Sequence, residues 1–294
     1  MPDLVHTVVL SGKIDHPNID LVTVTCARDF DQMILQAHSI DVFVKPGCHH
    51  WVYIEDCNIP LNVWQQSLEP HYKNHQLHLV QNTEPYLIAG FNSGWQRQQV
   101  IKLEAADNVQ SRSYLCLDSK NFFVKPTDPR HWPIAQGNNL VRSIMKDLPF
   151  VPWMKNFCQE HELKFNFSVC EPVTPFRLDT ALVKSLLKLD IHQIFAKATG
   201  NISEFVLYSI YSQSQGHYLP SGPTANYTFW SVDEIMCENI EFFEQLYHMP
   251  LLKSMGVHRT VLKSMARPPQ VFFEWCNSKG LDQNLVQNIQ RSGQ

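Results

Sequence analysis

The sequence predicts an α/β protein built on a mostly parallel sheet flanked by helices. Three observations carry that prediction. Apolar, β-branched runs alternate with segments of helical spacing through about the first 126 residues, a pattern that implies crossover connections. The run Tyr114 to Leu117 ends on an acidic residue, Asp118, and the polar string Ser119-Lys120-Asn121 follows at once. Beyond Pro126 the regularity fades into proline-punctuated segments, which predicts a less regular C-terminal half.

Each element has its own warrant. Ile19 to Thr25 is a β-branched run and reads as a buried strand. Asp29 is placed as the cap of the next helix, because Phe30, Met33, Ile34, Ala37 and Ile40 recur on one face. Trp51 to Ile54 is a short strand ending at Glu55-Asp56, and Gln76 to Val80 is a third. A helix over Gly94 to Ala106 precedes the strand Tyr114 to Leu117. In the second half, Pro126, Pro129, Pro133, Pro149 and Pro152 mark loops and short elements. Helices are predicted over 176–189, 203–212 and 233–248. The last carries Ile235, Ile240, Phe243 and Leu246 as its stripe and stops at Pro250. A short strand over 251–257 and a helical region from Thr260 complete the reading. There is no internal repeat and no low-complexity tract.

Composition narrows the class. The chain has 294 residues, 44% hydrophobic and 18% charged, enough to bury a sizeable core. A net charge of -4 and a pI near 6.4 give no global field for nucleic acid or an anionic membrane. No apolar run is long enough for a transmembrane helix, and Met1-Pro2-Asp3 does not open a signal peptide, so a cytoplasmic protein is expected. Without a secretory signal the sequons at Asn201 and Asn226 carry no weight. The eight cysteines form no C-x-x-C pair, against a zinc ribbon or a thioredoxin-type site, and they are expected reduced. Cys26 and Cys116 sit in apolar strands as small hydrophobes. His49-His50 and His71, His75 and His78 cluster by spacing, yet lack a carboxylate or cysteine set at structural-zinc spacing. No G-x-G-x-x-G follows the first strand, against a dinucleotide oxidoreductase.

Asp118-Ser119-Lys120-Asn121 is the strongest candidate site. Ligands of open α/β sheets bind at the carboxyl ends of strands, and a carboxylate there suits a divalent cation or a sugar hydroxyl. The plain alternative is a turn, which Asp, Ser and Asn all favour. Trp95, Gln98, Gln99 and Lys102 share the preceding helix at about one-turn spacing, where amides read hydroxyls and a cation neutralises phosphate. The alternative for these is a solvated helix face. Ser203-Glu204 opens a helix, so Glu204 is either a capping residue or a general base. His258-Arg259 at a helix start suits a diphosphate or a metal, against a partly buried surface pair.

Gly94-Trp95-Gln96-Arg97-Gln98-Gln99-Val100-Ile101-Lys102-Leu103, then Tyr114 to Asn121, then Phe123-Val124-Lys125-Pro126, resemble an uncharacterised glycosyltransferase-like family with the GT-A, or nucleotide-diphospho-sugar transferase, fold. The resemblance continues through Thr174-Pro175-Phe176 and Ser203 to Tyr208, and closes with Gly256-Val257-His258-Arg259. It implies a single GT-A-like domain over 1–294, with a nucleotide-binding half over about 1–126 and an acceptor half over about 127–294. It also implies a sugar moved from a nucleotide-diphospho-sugar to a hydroxyl acceptor, a glycan or glycoconjugate. Thr25, Arg28, Trp95, Gln98, Gln99, Lys102, Ser119, Asn121, His258 and Arg259 would hold the donor. Thr174, Phe176 and Tyr208 would hold the acceptor. Glu204, Asp118 and Lys120 would be catalytic, with Asp179, Asp233 and Glu234 in reserve as bases.

One departure matters. The family fold usually carries D-x-D at this strand end, where two carboxylates place a metal against the diphosphate. Here the second position is Lys120. Either Lys120 replaces the metal and puts its own charge on the diphosphate, or it points away and Asp118 binds Mn2+ or Mg2+ with His258. The other reading of the departure is a catalytically inactive GT-A-fold protein that binds glycans or a partner.

Overall fold

The computed structural model describes residues 5–10, 19–82, 94–132, 157–163, 173–197, 203–217 and 225–288. Its first sheet contains β1 (Val5–Leu10), β2 (Asp20–Thr25), β3 (His49–Ile54), β4 (Gln76–Asn82), β5 (Ser113–Asp118) and β7 (Phe176–Asp179). The second contains β6 (Asn121–Phe123), β8 (Asn226–Phe229) and β9 (Ser254–Val257). The first sheet runs β1-β4-β3-β2-β5-β7. Its four central strands are parallel, and its two edge strands are antiparallel to their neighbours. The second runs β6-β9-β8, with β6 antiparallel and β8 parallel to β9.

The central strands are buried on both faces, and their sequences show why. Every residue of β2 and β3 is buried, as in parallel sheets with helices on each side. On one face Val22, Val24, Tyr53, Tyr114 and Cys116 pack with Val100 and Ile101 of α3 (Gly94–Glu104) and with the helix Glu204–Ser214. On the other, Leu21, Val52, Ile54, Leu115 and Leu117 pack with Met33, Ala37 and Ile40 of α1 (Phe30–Phe43) and with Trp64 of α2 (Leu61–Leu68). Asp20 is wholly buried and locks the start of β2. Its carboxylate accepts from the backbone N–H of Gln110 and Ser111 and from Trp51 Nε1.

A third core of Phe122, Phe229, Phe243, Phe272, Trp275 and Met255 supports the second sheet, and Leu35 of α1 joins it. Helix α1 therefore serves both sheets. Gly256 in β9 is a close approach. A Cβ there would meet the Lys120 carbonyl oxygen and Asn121 Nδ2 at 3.2 Å each, so a larger residue would push β9 and that turn apart by a few tenths of an ångström.

Several elements differ from expectation. The helix predicted over 176–189 begins as β7. Asp179 then caps a helix over Thr180–Leu186, its carboxylate accepting from the Leu182 N–H. The helix predicted over 233–248 is two, Val232–Ile235 and Ile240–His248, and Asn239 caps the second by accepting from the Glu241 N–H. Asp29 holds the N-cap position of α1, but its side chain makes no capping bond; Ser119 Oγ donates to it instead, at 3.0 Å. Strands β1, β6 and β8 are additions to the sequence reading. Pro133, Pro149, Pro152, Cys170 and the sequon at Asn201 lie outside the described residues.

Candidate active site

The carboxyl ends of β2, β3 and β5 lie side by side. The chain passes from β2 to β3 on one flank, while β5 pairs on the other. The strand order therefore reverses at β2, and a crevice opens above the reversal. A cleft of about 740 Å3 occupies it, the size of a pocket that encloses a small-molecule ligand. Loop residues Arg28 and Asp29, Glu55 and Asp56, and Asp118 to Lys120 line it from below, with Trp95, Gln98, Gln99 and Lys102 of α3 at the side.

Asp118 is the centre of a dense knot. Its Oδ1 accepts from Lys102 Nζ at 2.8 Å. Its Oδ2 accepts from Lys120 Nζ at 2.8 Å and from Thr174 Oγ1 at 2.7 Å. Lys102 Nζ also lies 3.1 Å from Glu204 Oε1, so one buried ammonium bridges two carboxylates. Lys102 is 4% exposed and Glu204 1%, whereas Asp118 keeps 28% of its side chain open to the cleft. The turn that carries Lys120 is pinned from within. Gln36 Nε2 donates to the carbonyls of Asp118 and Asn121 at 2.7 and 2.9 Å, and Asn121 Oδ1 accepts from the Asp118 N–H at 2.8 Å.

Electrostatics follow from this packing. Burial opposes ionisation of Asp118, but Lys102 and Lys120 outweigh it and hold the carboxyl well below its usual range. Burial likewise opposes the charge on Lys102, and Asp118 with Glu204 outweighs it, so the ammonium stays protonated well above its usual range. For Glu204 burial wins and its pKa is raised despite Lys102. Burial also raises Glu55, whose carboxylate accepts from Gln98 Nε2 at 2.6 Å. His258 is lowered by burial and by Lys120.

Of the sequence-predicted site residues, the cleft gathers Arg28, Trp95, Gln98, Gln99, Lys102, Asp118, Ser119, Lys120, Thr174, Glu204, His258 and Arg259. It does not gather four others. Thr25 is fully buried below the floor. Asn121 builds the turn rather than the wall. Phe176 stacks on Phe205 at 4.3 Å in the core, and the buried Tyr208 hydroxyl accepts from the Asp179 N–H. The expected acceptor roles of Phe176 and Tyr208 have no access to the cleft, because the two-residue alternation of β7 turns Phe176 inward and Tyr208 lies on a buried helix. Asp179, Asp233 and Glu234 also lie off its wall; Glu234 accepts from the Trp230 N–H and the Tyr227 hydroxyl. Sequence reasoning did not select Glu55, Asp56, Arg97, Trp230 or Lys263, which do line it. The pair Glu55-Asp56 had a readable signal, being acidic residues at a strand's carboxyl end. Trp230 had none.

A divalent ion held by Asp118 and His258 does not fit this donor set. Both Asp118 oxygens accept from ammonium groups, so an ion there would sit beside two positive charges. His258 Nδ1 already shares a hydrogen bond with Thr260 Oγ1 at 2.7 Å. Among the described residues, no group of three His, Cys, Asp or Glu side chains is placed to hold a metal.

The model of a family of unknown function, DUF6492, matches residues 16–264, and the chain belongs to that family. No curated protein matches the sequence significantly. Among solved structures, the bifunctional glycosyltransferase WbbM in its apo form superposes with a TM-score of 0.54 at 10% identity, over 94% of this chain and 52% of WbbM. This chain thus spans about half of WbbM. The galactosyltransferase LgtC, in complex with donor and acceptor sugar analogues, gives 0.50 at 12% identity, over 88% of this chain and 96% of LgtC. An active-site mutant of LgtC gives 0.51 at 13%. These likenesses establish the fold, that of the GT-A-type glycosyltransferases. Among the described residues no helix is long and apolar enough to cross a membrane.

Proposed function

We propose that this DUF6492 member transfers a sugar from a nucleotide-diphospho-sugar to a hydroxyl acceptor, with Lys120 acting where the fold usually carries a metal. The observation that carries the reading is the ammonium of Lys120, held 2.8 Å from Asp118 at the mouth of the switch-point crevice. An ammonium has three donors. One is engaged by Asp118, and the others are left for phosphate oxygens.

The chemistry needs little more. As the anomeric carbon–oxygen bond breaks, negative charge grows on the leaving diphosphate. A cation fixed beforehand stabilises that charge without reorganising. Asp118 serves as the anchor that aims Lys120, and Gln36 with Asn121 makes the turn rigid. Lys102 is the counter-charge that lets Asp118 and Glu204 remain buried together. Arg28, Arg259 and Lys263 add positive charge along the wall. Glu204 then acts through Lys102 as a positioning residue and not as a base.

Thermal-shift screening of UDP, GDP, ADP, CDP and dTDP in EDTA tests the reading. A ligand that binds only the folded state raises the melting temperature. One of the five is expected to do so, and its sugar conjugate to be consumed on addition of an acceptor. No shift with any of them, with or without Mn2+, sinks the transferase reading. A non-catalytic glycan binder is the second reading. It is favoured by Glu204, whose carboxylate is buried against Lys102 and so unavailable to deprotonate an acceptor.

A further inference from the structure

Tryptophan is highly buried on average, and it is enriched at binding interfaces, where its large ring is covered and its N–H finds a partner. Among the described residues two are more than one-third exposed, Trp95 at 42% and Trp230 at 58%, and both line the cleft. Trp95 lies on α3, beside the residues expected to take the nucleotide. Trp230 comes from elsewhere. It follows β8, and the pairing of Phe229 with Val257 brings the next residues of the two strands, Trp230 and His258, side by side. Their rings stack with centroids 4.4 Å apart and planes 30° off parallel. Lys120 Nζ lies 5.7 Å from the indole centroid.

We propose that the Trp230–His258 stack is the shelf on which a pyranose ring of the acceptor lies, an assignment that rests on the transferase reading above. A pyranose has one face of C–H groups and a rim of hydroxyls. The open part of an indole covers the first by dispersion and apolar burial, and polar groups at the edge take the second. Thr260 stands on the same wall and supplies such a group.

Position separates this shelf from the donor site. Arg28, Asp56 and Gln98 belong to the loops and helix of the first sheet, Trp230 to the second, and Lys120 lies in the turn between the sheets. A sugar on Trp230 is therefore next to the ammonium that would hold the diphosphate, close to where a bond to the anomeric carbon must form. In the transfer, the acceptor oxygen bonds to that carbon, the carbon–oxygen bond to the diphosphate breaks, and the hydroxyl proton leaves to solvent or to the departing phosphate. The shelf is also the most solvent-open aromatic surface of the cleft, which suits a ligand that continues outward as a longer glycan.

The test uses the full chain and two ligand classes. Methyl α- and β-pyranosides of glucose, galactose and mannose, with their disaccharides, are titrated by ligand-observed NMR against wild type, Trp230→Ala and Trp230→Phe. Nucleoside diphosphates are titrated in parallel. At least one glycoside is expected to bind wild type, to lose about tenfold in affinity in Trp230→Ala, and to recover most of it in Trp230→Phe. Nucleoside diphosphate affinity is expected to stay within about twofold in all three. Since Trp230 is exposed, Trp230→Ala should melt as wild type does, which circular dichroism checks. If no glycoside binds wild type, or if Trp230→Ala binds them unchanged, the shelf is wrong. If Trp230→Ala loses nucleoside diphosphate instead, Trp230 is a nucleobase platform and the acceptor assignment falls. Loss of nucleoside diphosphate binding already in wild type would count against the transferase reading itself, separately from the shelf.

Discussion

The six-stranded sheet is covered by helices on both faces, whereas the three-stranded sheet closes on a cluster of aromatic rings. The first offers a row of parallel strands whose carboxyl ends open on a crevice, and it supplies Arg28, Asp56 and Asp118. The second has only one parallel pair, β8 and β9, and the residues that follow those strands, Trp230 and His258, reach the cleft. Only Ser119 and Lys120 separate β5 of one sheet from β6 of the other. A cation placed there faces ligand parts brought by both. The difference teaches that a regular scaffold fixes one row of side chains at the floor of the cleft, while a less regular one, free to vary its loops, completes the wall.

That comparison can be broken at its packing. Phe272 touches Phe122, Phe229, Phe243 and Trp275, so Phe272→Ala should cost about 3–5 kcal/mol. One cooperative urea transition is expected to persist, because α1 carries residues of both cores. Two transitions would mean that the sheets unfold independently.

It can be sharpened at the knot. Lys102→Met leaves Asp118 and Glu204 buried without their shared counter-charge, a loss of about 3–5 kcal/mol in denaturant. Adding Glu204→Gln should restore part of it. If the double variant is no more stable than the single, Lys102 is not the partner of Glu204.

Acid probes the first sheet selectively. Burial lowers His50 to about 3 and His78 to about 4, from 6.5 unfolded. The unfolded chain then binds more protons between those limits, so the contribution is complete above pH 6.5 and is lost as pH falls toward 4 and 3. About 5 kcal/mol should be gone at pH 4.5, shared nearly equally by the two histidines. His78→Gln should flatten the profile, and an unchanged profile would show that His78 is not held neutral by the fold.

The same contrast governed what could be read from sequence. β2, β3 and β5 were legible because each carries a β-branched or apolar run, Leu21 to Thr25, Trp51 to Ile54 and Tyr114 to Leu117. β6, with three residues, and β8, with four, are too short to show a period. β7 hid inside a helical pattern until Asp179 capped the true helix. In the site, Asp118, Lys120 and Lys102 were legible by charge at a strand end and on the helix before it. The burial of Phe176 and Tyr208, and the exposure of Trp230, depend on tertiary placement that no local pattern encodes.

Lys120 is where both halves meet, and one titration tests it. Calorimetry of the binding nucleoside diphosphate into wild type and Lys120→Ala, each in EDTA, is expected to give undiminished binding for wild type and a loss of roughly 1.5–3 kcal/mol for the variant. Binding by wild type that vanishes in EDTA and returns with Mn2+, while Lys120→Ala changes little, would contradict the account.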